Sequence, residues 1–250
     1  MLRIILVVIT VNLVLGVHHS GAEEKVSSSY SVDYDKSYEI FNRKHDKIGS
    51  TYSKMYTGLY SDKEVKFIET TTKMNFKVLF FPYNYRKKEY AAISEEGIEF
   101  YEIEENRKGK IVYFKGKRKE SQLEVDMLEK NRTKSISVPL RDFDITTFDI
   151  YIERSDFLKV NNEERLRIFD PLASLVKEFH RVVLKKEQVE FDDKLYDVFV
   201  VRTKIGKEES TSWILENGRL VKDMGKNYSF ELAEGGEEDK DEIRGECLTP

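Results

Sequence analysis

Apolar and polar residues alternate along much of this chain, and a period of two is the pattern of half-buried β-strands. Tyr, Phe, Val, Ile and Thr fill the alternating runs, and these residues pack well on a pleated surface. The clearest runs are residues 64–67, 75–78, 97–103, 110–115, 122–127, 196–201, 211–215 and 228–232. The alternation therefore predicts a mostly β protein.

Short turn sequences separate these runs. Asn217-Gly218 between two apolar runs is the strongest hairpin signal, because both central positions of a type I′ turn need a positive φ. Short strands joined by tight turns favour an antiparallel sheet that curls. We predict a curved antiparallel sheet or an incomplete β-barrel, of the lipocalin or lipoprotein-carrier kind.

One segment departs from the alternation. Asp170 stands where a helix N-cap would, and Pro171 follows at the first helical position. The apolar residues that follow have the i, i+3, i+4, i+7 spacing of one helical face. They are Leu172, Leu175, Val176 and Phe179. This pattern predicts one short helix, residues 170–179, packed on the sheet.

The first residues have the features of a secretory signal peptide. Arg3 is followed by an apolar run from Ile4 to Leu15, and small residues end the segment at Ala22. The run is shorter than the ~20 residues of a spanning helix, so no transmembrane segment is expected after cleavage. We expect residues 1–22 to be a leader, 23–233 a single β-rich domain and 234–250 a disordered acidic tail. The protein is then exported, and periplasmic or secreted.

Histidine and cysteine are too scarce for the common metal and thiol chemistries. The only cysteine, Cys247, lies in the acidic tail, so no intramolecular disulfide can form. Outside the leader only His45 and His180 remain, far apart in the sequence. Neither a Gly-rich phosphate loop nor a Gly-x-Ser-x-Gly elbow is present. We predict a protein that is not an enzyme, with no catalytic residues, no metal and no cofactor.

Two basic clusters allow three interpretations. Residues 80–88 interleave aromatic and cationic side chains, and residues 115–119 form a cationic turn. Such patches can stack bases and contact phosphates. They are also consistent with a strand that ends in a solvated loop and with a hairpin tip kept soluble by lysine. A third possibility is that the clusters contact anionic lipid headgroups or acidic glycans. Because the sequence predicts an exported protein whose folded part has almost no net charge, we favour the second interpretation and expect no nucleic-acid partner.

Several short motifs resemble an uncharacterised family of exported bacterial β-rich proteins, known as domain of unknown function 3108. They are Lys47-Ile48-Gly49, the stretch from Asp170 to Leu175, and a closing meander in which residues 194–198 precede residues 213–221. The resemblance implies a β-rich envelope protein with the curled sheet of periplasmic lipid carriers. It supplies no catalytic residues.

The chain carries 15 Phe and 14 Tyr but one Trp. In a curled sheet, inward rings either fill the interior or line an apolar cavity, and both possibilities stay open. The candidate lining residues are Phe76, Val78, Phe100, Tyr113, Leu172, Leu175, Phe179 and Trp213. We expect a non-enzymatic envelope protein that binds an apolar or lipid-like ligand. The alternatives are a module that holds a partner protein of the envelope and, less favoured, a carboxylate-based hydrolase.

Overall fold

The computed structural model describes residues 31–78, 81–130, 132–151, 155–191 and 194–233. The chain there consists almost wholly of strands, which confirms the prediction of a mostly β protein. The strands are β1 (Ser31–Asn42), β2 (Lys47–Tyr60), β3 (Lys63–Val78), β4 (Phe81–Ser94), β5 (Gly97–Arg107), β6 (Lys110–Lys119), β7 (Gln122–Glu129), β8 (Arg132–Pro139), β9 (Ile145–Thr146), β10 (Glu163–Asp170), β11 (Leu175–Phe191), β12 (Lys194–Ile205), β13 (Glu208–Leu215), β14 (Leu220–Gly225) and β15 (Tyr228–Leu232). The predicted leader and acidic tail lie outside the described residues.

All these strands form one sheet, in the order β8-β7-β6-β5-β4-β3-β2-β1-β15-β14-β13-β12-β11-β10-β9. Most neighbours are successive hairpin strands, and β1 pairs with β15 in the middle of the sheet. Within the described sheet every pairing is antiparallel except that of β9 with β10. The edges are β8 and β9, so the sheet is open and is not closed into a barrel.

The sheet folds back over one of its own faces, which we call the concave face. The main core joins Ile68 of β3 and Tyr101 of β5 to Phe169 of β10, which lies near the other end of the strand order. The ring of Tyr101 is 5.6 Å from that of Phe148, just after β9. A flat sheet would hold β5 and β10 far apart, so these contacts require strong twist and curvature.

The connection between β8 and β10 fills much of the concave face. It contains short 3-10 helices at Leu140–Asp142, Asp149–Tyr151 and Ser155–Phe157. Phe143 and Phe148 enter the main core, whereas Phe157 packs against Val183 and Val201 in a separate cluster. Aromatic rings therefore fill this interior.

The opposite, convex face of β2–β5 carries an apolar cluster of its own. Its buried members are Tyr56, Val65, Phe67 and Ala92. Phe67 is fully buried, and its ring stacks 5.1 Å from that of Tyr56 and 5.7 Å from that of Tyr90. Gly58 leaves the space for this ring, because a Cβ there would stand 3.0 Å from Phe67 Cε2. The strands β2–β5 thus bury apolar side chains on both faces.

The helix predicted over residues 170–179 is wrong. Asp170 ends β10, the chain turns, and Leu175 begins β11 opposite Asp170. The Asp170 carboxylate accepts the backbone N–H of Ala173 at 3.1 Å, and Asp-Pro is also a common start of a type I turn. Capping residues serve a turn as well as a helix. The long β10–β11 ladder supplies hydrogen-bond partners for the backbone of these residues. This tertiary pairing outweighs the helical spacing of their apolar side chains.

The Asn217-Gly218 hairpin is confirmed, but its turn type differs from the predicted one. The N–H of Gly218 donates to the carbonyl of Leu215 at 2.9 Å, and the N–H of Leu215 donates to that of Arg219 at 2.9 Å. Gly218 has φ 87°, whereas Asn217 is not among the residues with positive φ. This is a three-residue loop with glycine at the left-handed position, rather than a two-residue type I′ turn.

Candidate ligand-binding site

A small apolar cavity lies where the two ends of the folded sheet meet. Its volume is about 90 Å³. One wall is the concave face of β7 and β8, and the other is the turn between β10 and β11. The lining residues are Val125, Met127, Lys134, Ile136, Leu172, Ala173 and Ser174. The lining is mainly apolar, with one cation.

Strand register explains why the β7 and β8 side chains share this cavity. Val125 is paired with Ile136, and Met127 with Lys134. Directly paired residues project from the same face of a sheet, and so do alternate residues of one strand. All four side chains therefore point to the concave face, toward the turn that carries Leu172.

The β10–β11 turn is held by Asp170. Its carboxylate caps the N–H of Ala173 and also forms an ion pair with Lys177, with Nζ 2.6 Å from Oδ2. Ser174 closes the turn with φ 51°, a left-handed conformation. These contacts fix the position of Leu172 over the cavity.

Tyr101 brings a polar group to the same region. Its ring lies flat over Gly116, whose backbone pairs with Tyr101 on one side and with Val125 on the other. The side chain therefore lies over β6, behind the strand that carries Val125, and Tyr101 is not among the residues that line the cavity. Tyr101 is fully buried, and its hydroxyl has no hydrogen-bond partner among the residues described. Burial, with smaller contributions from Asp170 and Asp126, raises the pKa of Tyr101 well above its usual range.

Among the described residues, the two walls of the cavity are joined by side-chain packing alone. In the described sheet β8 is hydrogen-bonded to β7 only, and β10 and β11 stand at the other end of the strand order. Leu172 and Val176 pack against the core to which Val125 belongs. This seam can widen by breaking apolar contacts, and no strand ladder has to open.

A second, wider cleft is polar and open to solvent. It has a volume of about 560 Å³ and is lined by Arg118, Glu120, Ser121, Gln122, Pro139, Leu140 and Arg141. Arg118 is already engaged by Glu99, at 3.5 Å, and by Glu96, at 3.2 Å. Lys63 contacts the same two carboxylates. The network is balanced in charge, and we assign it a structural role.

The buried carboxylates of the concave face are likewise paired with cations. Glu89 lies 2.9 Å from Lys87, and Glu105 lies 2.7 Å from Arg107 and accepts the hydroxyl of Tyr85 at 3.0 Å. Each cation is two positions from its acid on the same strand. These contacts account for the burial of both acids as structural ion pairs. Across the described ranges no group of three His, Cys, Asp or Glu side chains is arranged to hold a metal ion.

The basic residues 115–119 also have acidic neighbours. Lys115 lies 2.6 Å from Glu102, and Lys119 lies 3.3 Å from Glu124. Residues 115–119 are the last part of strand β6, so the cationic turn expected from the sequence is wrong, although the lysines on this strand are solvent-exposed. Residue 80 of the other basic cluster lies outside the described ranges, and residues 81–88 belong to strand β4 rather than to the solvated loop expected from the sequence.

The structure does not gather the predicted lining residues into one site. Leu172 lines the cavity, and Phe76 lies on the concave face farther along β3. Phe100 packs with the convex cluster. Exposed Tyr113 and half-buried Trp213 also lie on the convex side, where the Trp213 Nε1–H donates to Glu187 at 2.8 Å.

The other three lie on β11 or at the end of β3. Leu175 is exposed near the start of β11, and Phe179 is buried farther along the same strand. Val78 is the last residue of β3, and its side chain lies outside the described part of the structure. Val125, Met127 and Ile136 were not among the predicted lining residues. The alternation of β7 could have shown that Val125 and Met127 share a face, but nothing local shows that Leu172 covers them.

Comparisons with protein-family models, with curated proteins and with solved structures find no match for this chain. Among the described residues no helix is long and apolar enough to cross a membrane.

Proposed function

We propose that this chain is an exported, non-enzymatic protein that binds an apolar or lipid-like ligand at the seam between β7–β8 and the β10–β11 turn. The observation that carries the proposal is the apolar cavity lined by Val125, Met127, Ile136 and Leu172, at a place where the folded sheet meets itself without a strand ladder.

The size of the cavity defines how binding would occur. Its 90 Å³ is well below the ~300–1,000 Å³ of ordinary small-molecule sites. A ligand therefore has to displace side chains from the seam. Met127 and Leu172 are half-buried, and methionine is flexible enough to repack around a guest. As the walls separate, each packs against the ligand instead of against the opposite wall.

Charge at the rim favours an acidic head group. Lys134 is exposed beside the apolar lining, and no carboxylate of the described residues pairs with it. An amphipathic acid would place its chain among Met127, Ile136 and Leu172 and its carboxylate near this ammonium group. A fatty acid of medium chain length is the simplest probe with that chemistry.

The test is titration with decanoic acid, followed by isothermal calorimetry and native mass spectrometry. We expect the mature protein to bind it, and we expect Met127→Trp, which fills the cavity, to weaken binding at least tenfold. Met224→Trp is the matched control, because Met224 is exposed and distant in sequence from every lining residue. Absence of binding to the unaltered protein, or equal loss in both variants, would overturn the proposal.

A partner protein is the second candidate, and the open edge of the sheet favours it. The eight residues of β8 pair with β7 on one side only in the described sheet, and an unpaired edge can accept a strand from another chain. Lysine on an edge blocks such pairing. We expect Ser137→Lys to abolish a specific complex and leave decanoic acid binding intact; an unchanged complex would exclude this edge.

A further inference from the structure

Charge is divided between the two ends of the sheet. Successive strands run antiparallel, so the turns after β1, β3, β5, β7, β10, β12 and β14 lie at one end, which we call the basic end. The turns after β2, β4, β6 and β13 lie at the other, acidic end. Counting Lys, Arg, Asp and Glu, the described turns of the basic end carry six cations and one acid: Arg43, Lys44, Lys108, Lys130, Lys207, Lys226 and Asp46. Those of the acidic end carry five acids and one cation: Asp62, Glu95, Glu96, Glu120, Glu216 and Arg219.

Contacts join the turns of the basic end into one surface. Arg43 Nε donates to the carbonyl of Lys226 at 2.6 Å, so the β1–β2 and β14–β15 turns touch. The N–H of Lys108 donates to the carbonyl of Asn84 at 3.0 Å, so the β5–β6 turn lies against β4. Strands β1 to β5 are neighbours in the sheet, and their turns at this end therefore form a continuous edge.

Most cations of the basic end have no acidic partner. Within the described residues no carboxylate pairs with these five exposed lysines: Lys44, Lys108, Lys130, Lys207 and Lys226. At the acidic end, by contrast, Lys63 and Arg118 are engaged by Glu96 and Glu99. Exposed ammonium groups without a partner keep their attraction for an anion outside the protein.

An aromatic pair stands beside these cations. The β3–β4 hairpin extends past its neighbours, because its ladder with β2 ends at Met74 and its ladder with β5 ends at Tyr85. Beyond these residues the half-buried rings of Phe76 and Tyr83 lie 4.8 Å apart. Lys108 Nζ is 4.9 Å from the centre of the Tyr83 ring. Aromatic rings and cations together are typical of the boundary between lipid head groups and water.

We propose that the basic end docks on an anionic lipid surface. Its exposed ammonium groups attract negative head groups within about one Debye length, ~10 Å at 0.1 M salt, and donate to their phosphate oxygens. The acidic end is repelled by the same surface, so the protein docks in one orientation. This inference goes beyond the proposed function and does not require the cavity to bind a ligand.

The test is co-sedimentation with vesicles of equal parts phosphatidylglycerol and phosphatidylcholine, and with vesicles of phosphatidylcholine alone. We expect binding to the first kind only, and its loss at about 1 M NaCl, where the Debye length is ~3 Å. Lys108→Glu combined with Lys226→Glu should weaken binding at least about tenfold. Lys117→Glu combined with Lys119→Glu is the matched control. It makes the same charge change on exposed residues at the other end of β6, and should leave binding intact.

A second pair of substitutions guards against a variant that fails to fold. Lys44→Glu combined with Lys207→Glu alters the same end, and we expect the same loss of binding. Circular dichroism and urea midpoints show which variants are folded. Decanoic acid binding should be unchanged in all of them, so that either proposal can fail while the other stands.

Three results would overturn the inference. They are no binding to the phosphatidylglycerol vesicles, equal binding to vesicles of phosphatidylcholine alone, and equal loss in the control variant. Binding of a single-stranded DNA oligonucleotide without binding to vesicles would assign the basic end to nucleic acid instead, and would likewise overturn it.

Discussion

The ring of Tyr101 occupies the space that a side chain on Gly116 would need. The two residues face each other across β5 and β6, and Cε1 of the ring lies 2.0 Å from the place of the missing Cβ. The contact lets an aromatic ring lie flat in the main core, with Phe148 beside it. The glycine is therefore a packing requirement in the middle of a strand, where glycine is otherwise unfavourable.

Gly116→Ala should destabilise the protein, because the new methyl group forces Tyr101 out of its place. Overpacking of this kind costs about 1–3 kcal/mol. Gly225→Ala is the control: its Cβ would lie 3.6 Å from Tyr228, an ordinary contact, and should change stability little. Urea unfolding followed by circular dichroism measures both. Equal midpoints for the two variants would show that the ring has room to move.

Asp170→Ala should loosen the turn that covers the cavity. It removes the cap on Ala173 and a partly buried ion pair with Lys177, and we expect a loss of about 1–2 kcal/mol in the free energy of unfolding. Glu129→Ala breaks a solvent-facing pair with Lys110 and should cost clearly less, because water and salt screen such a pair. The prediction fails if the two losses, measured by urea unfolding, are the same.

Phe67→Ala should test whether the convex cluster is a true core. The ring is fully buried between Tyr56 and Tyr90, so its removal should cost about 3–5 kcal/mol. Leu195 is an apolar control, 69 % exposed, for which substitution by alanine should stay within ~0.5 kcal/mol. Thermal unfolding of the two variants distinguishes a buried cluster from a surface one.

An aspartate at position 223 should make the protein less stable at neutral pH than an asparagine at the same position would. Burial raises the pKa of Asp223, although Ser212 donates to its carboxylate at 2.6 Å. Since the folded-state pKa exceeds the unfolded value of ~3.9, the carboxylate costs stability above the folded pKa. That cost disappears as pH falls through the folded pKa.

We therefore expect Asp223→Asn to stabilise the protein at neutral pH and to lose this advantage toward about pH 4. Asp144→Asn should behave in the opposite way. The guanidinium of Arg167 lowers the pKa of Asp144, so its carboxylate contributes stability above the unfolded pKa and loses it in acid. Urea midpoints at several pH values test both; parallel curves for the two variants would refute the assignment.

The strands could largely be predicted from the sequence. The runs at residues 97–103, 122–127 and 211–215 alternate because one face of each strand is buried, and each lies within an observed strand. The prediction of a helix at residues 170–179 was wrong, because Asp170 and Pro171 suit a turn as well as a helix start. Only the distant β10 partner decided between the two.

The candidate site was less predictable, since its walls are far apart in the chain. Leu172 was identified from a helical pattern that does not form, and it nevertheless lines the cavity. Phe100 was placed with it on alternation alone, but it projects from the convex face. Alternation shows that two faces exist and does not show which of them will be covered.

The sequence by itself determined the β class of this protein, the positions of most hairpins and the residue at the αL position of the Gly218 turn, because these depend on neighbours a few residues apart. The tertiary structure alone decided that the sheet stays open, that β10 folds back over β5, and that the ring of Tyr101 lies over Gly116. Those features depend on curvature accumulated over many strands, and on contacts between residues such as Tyr101 and Phe169 that no local pattern connects.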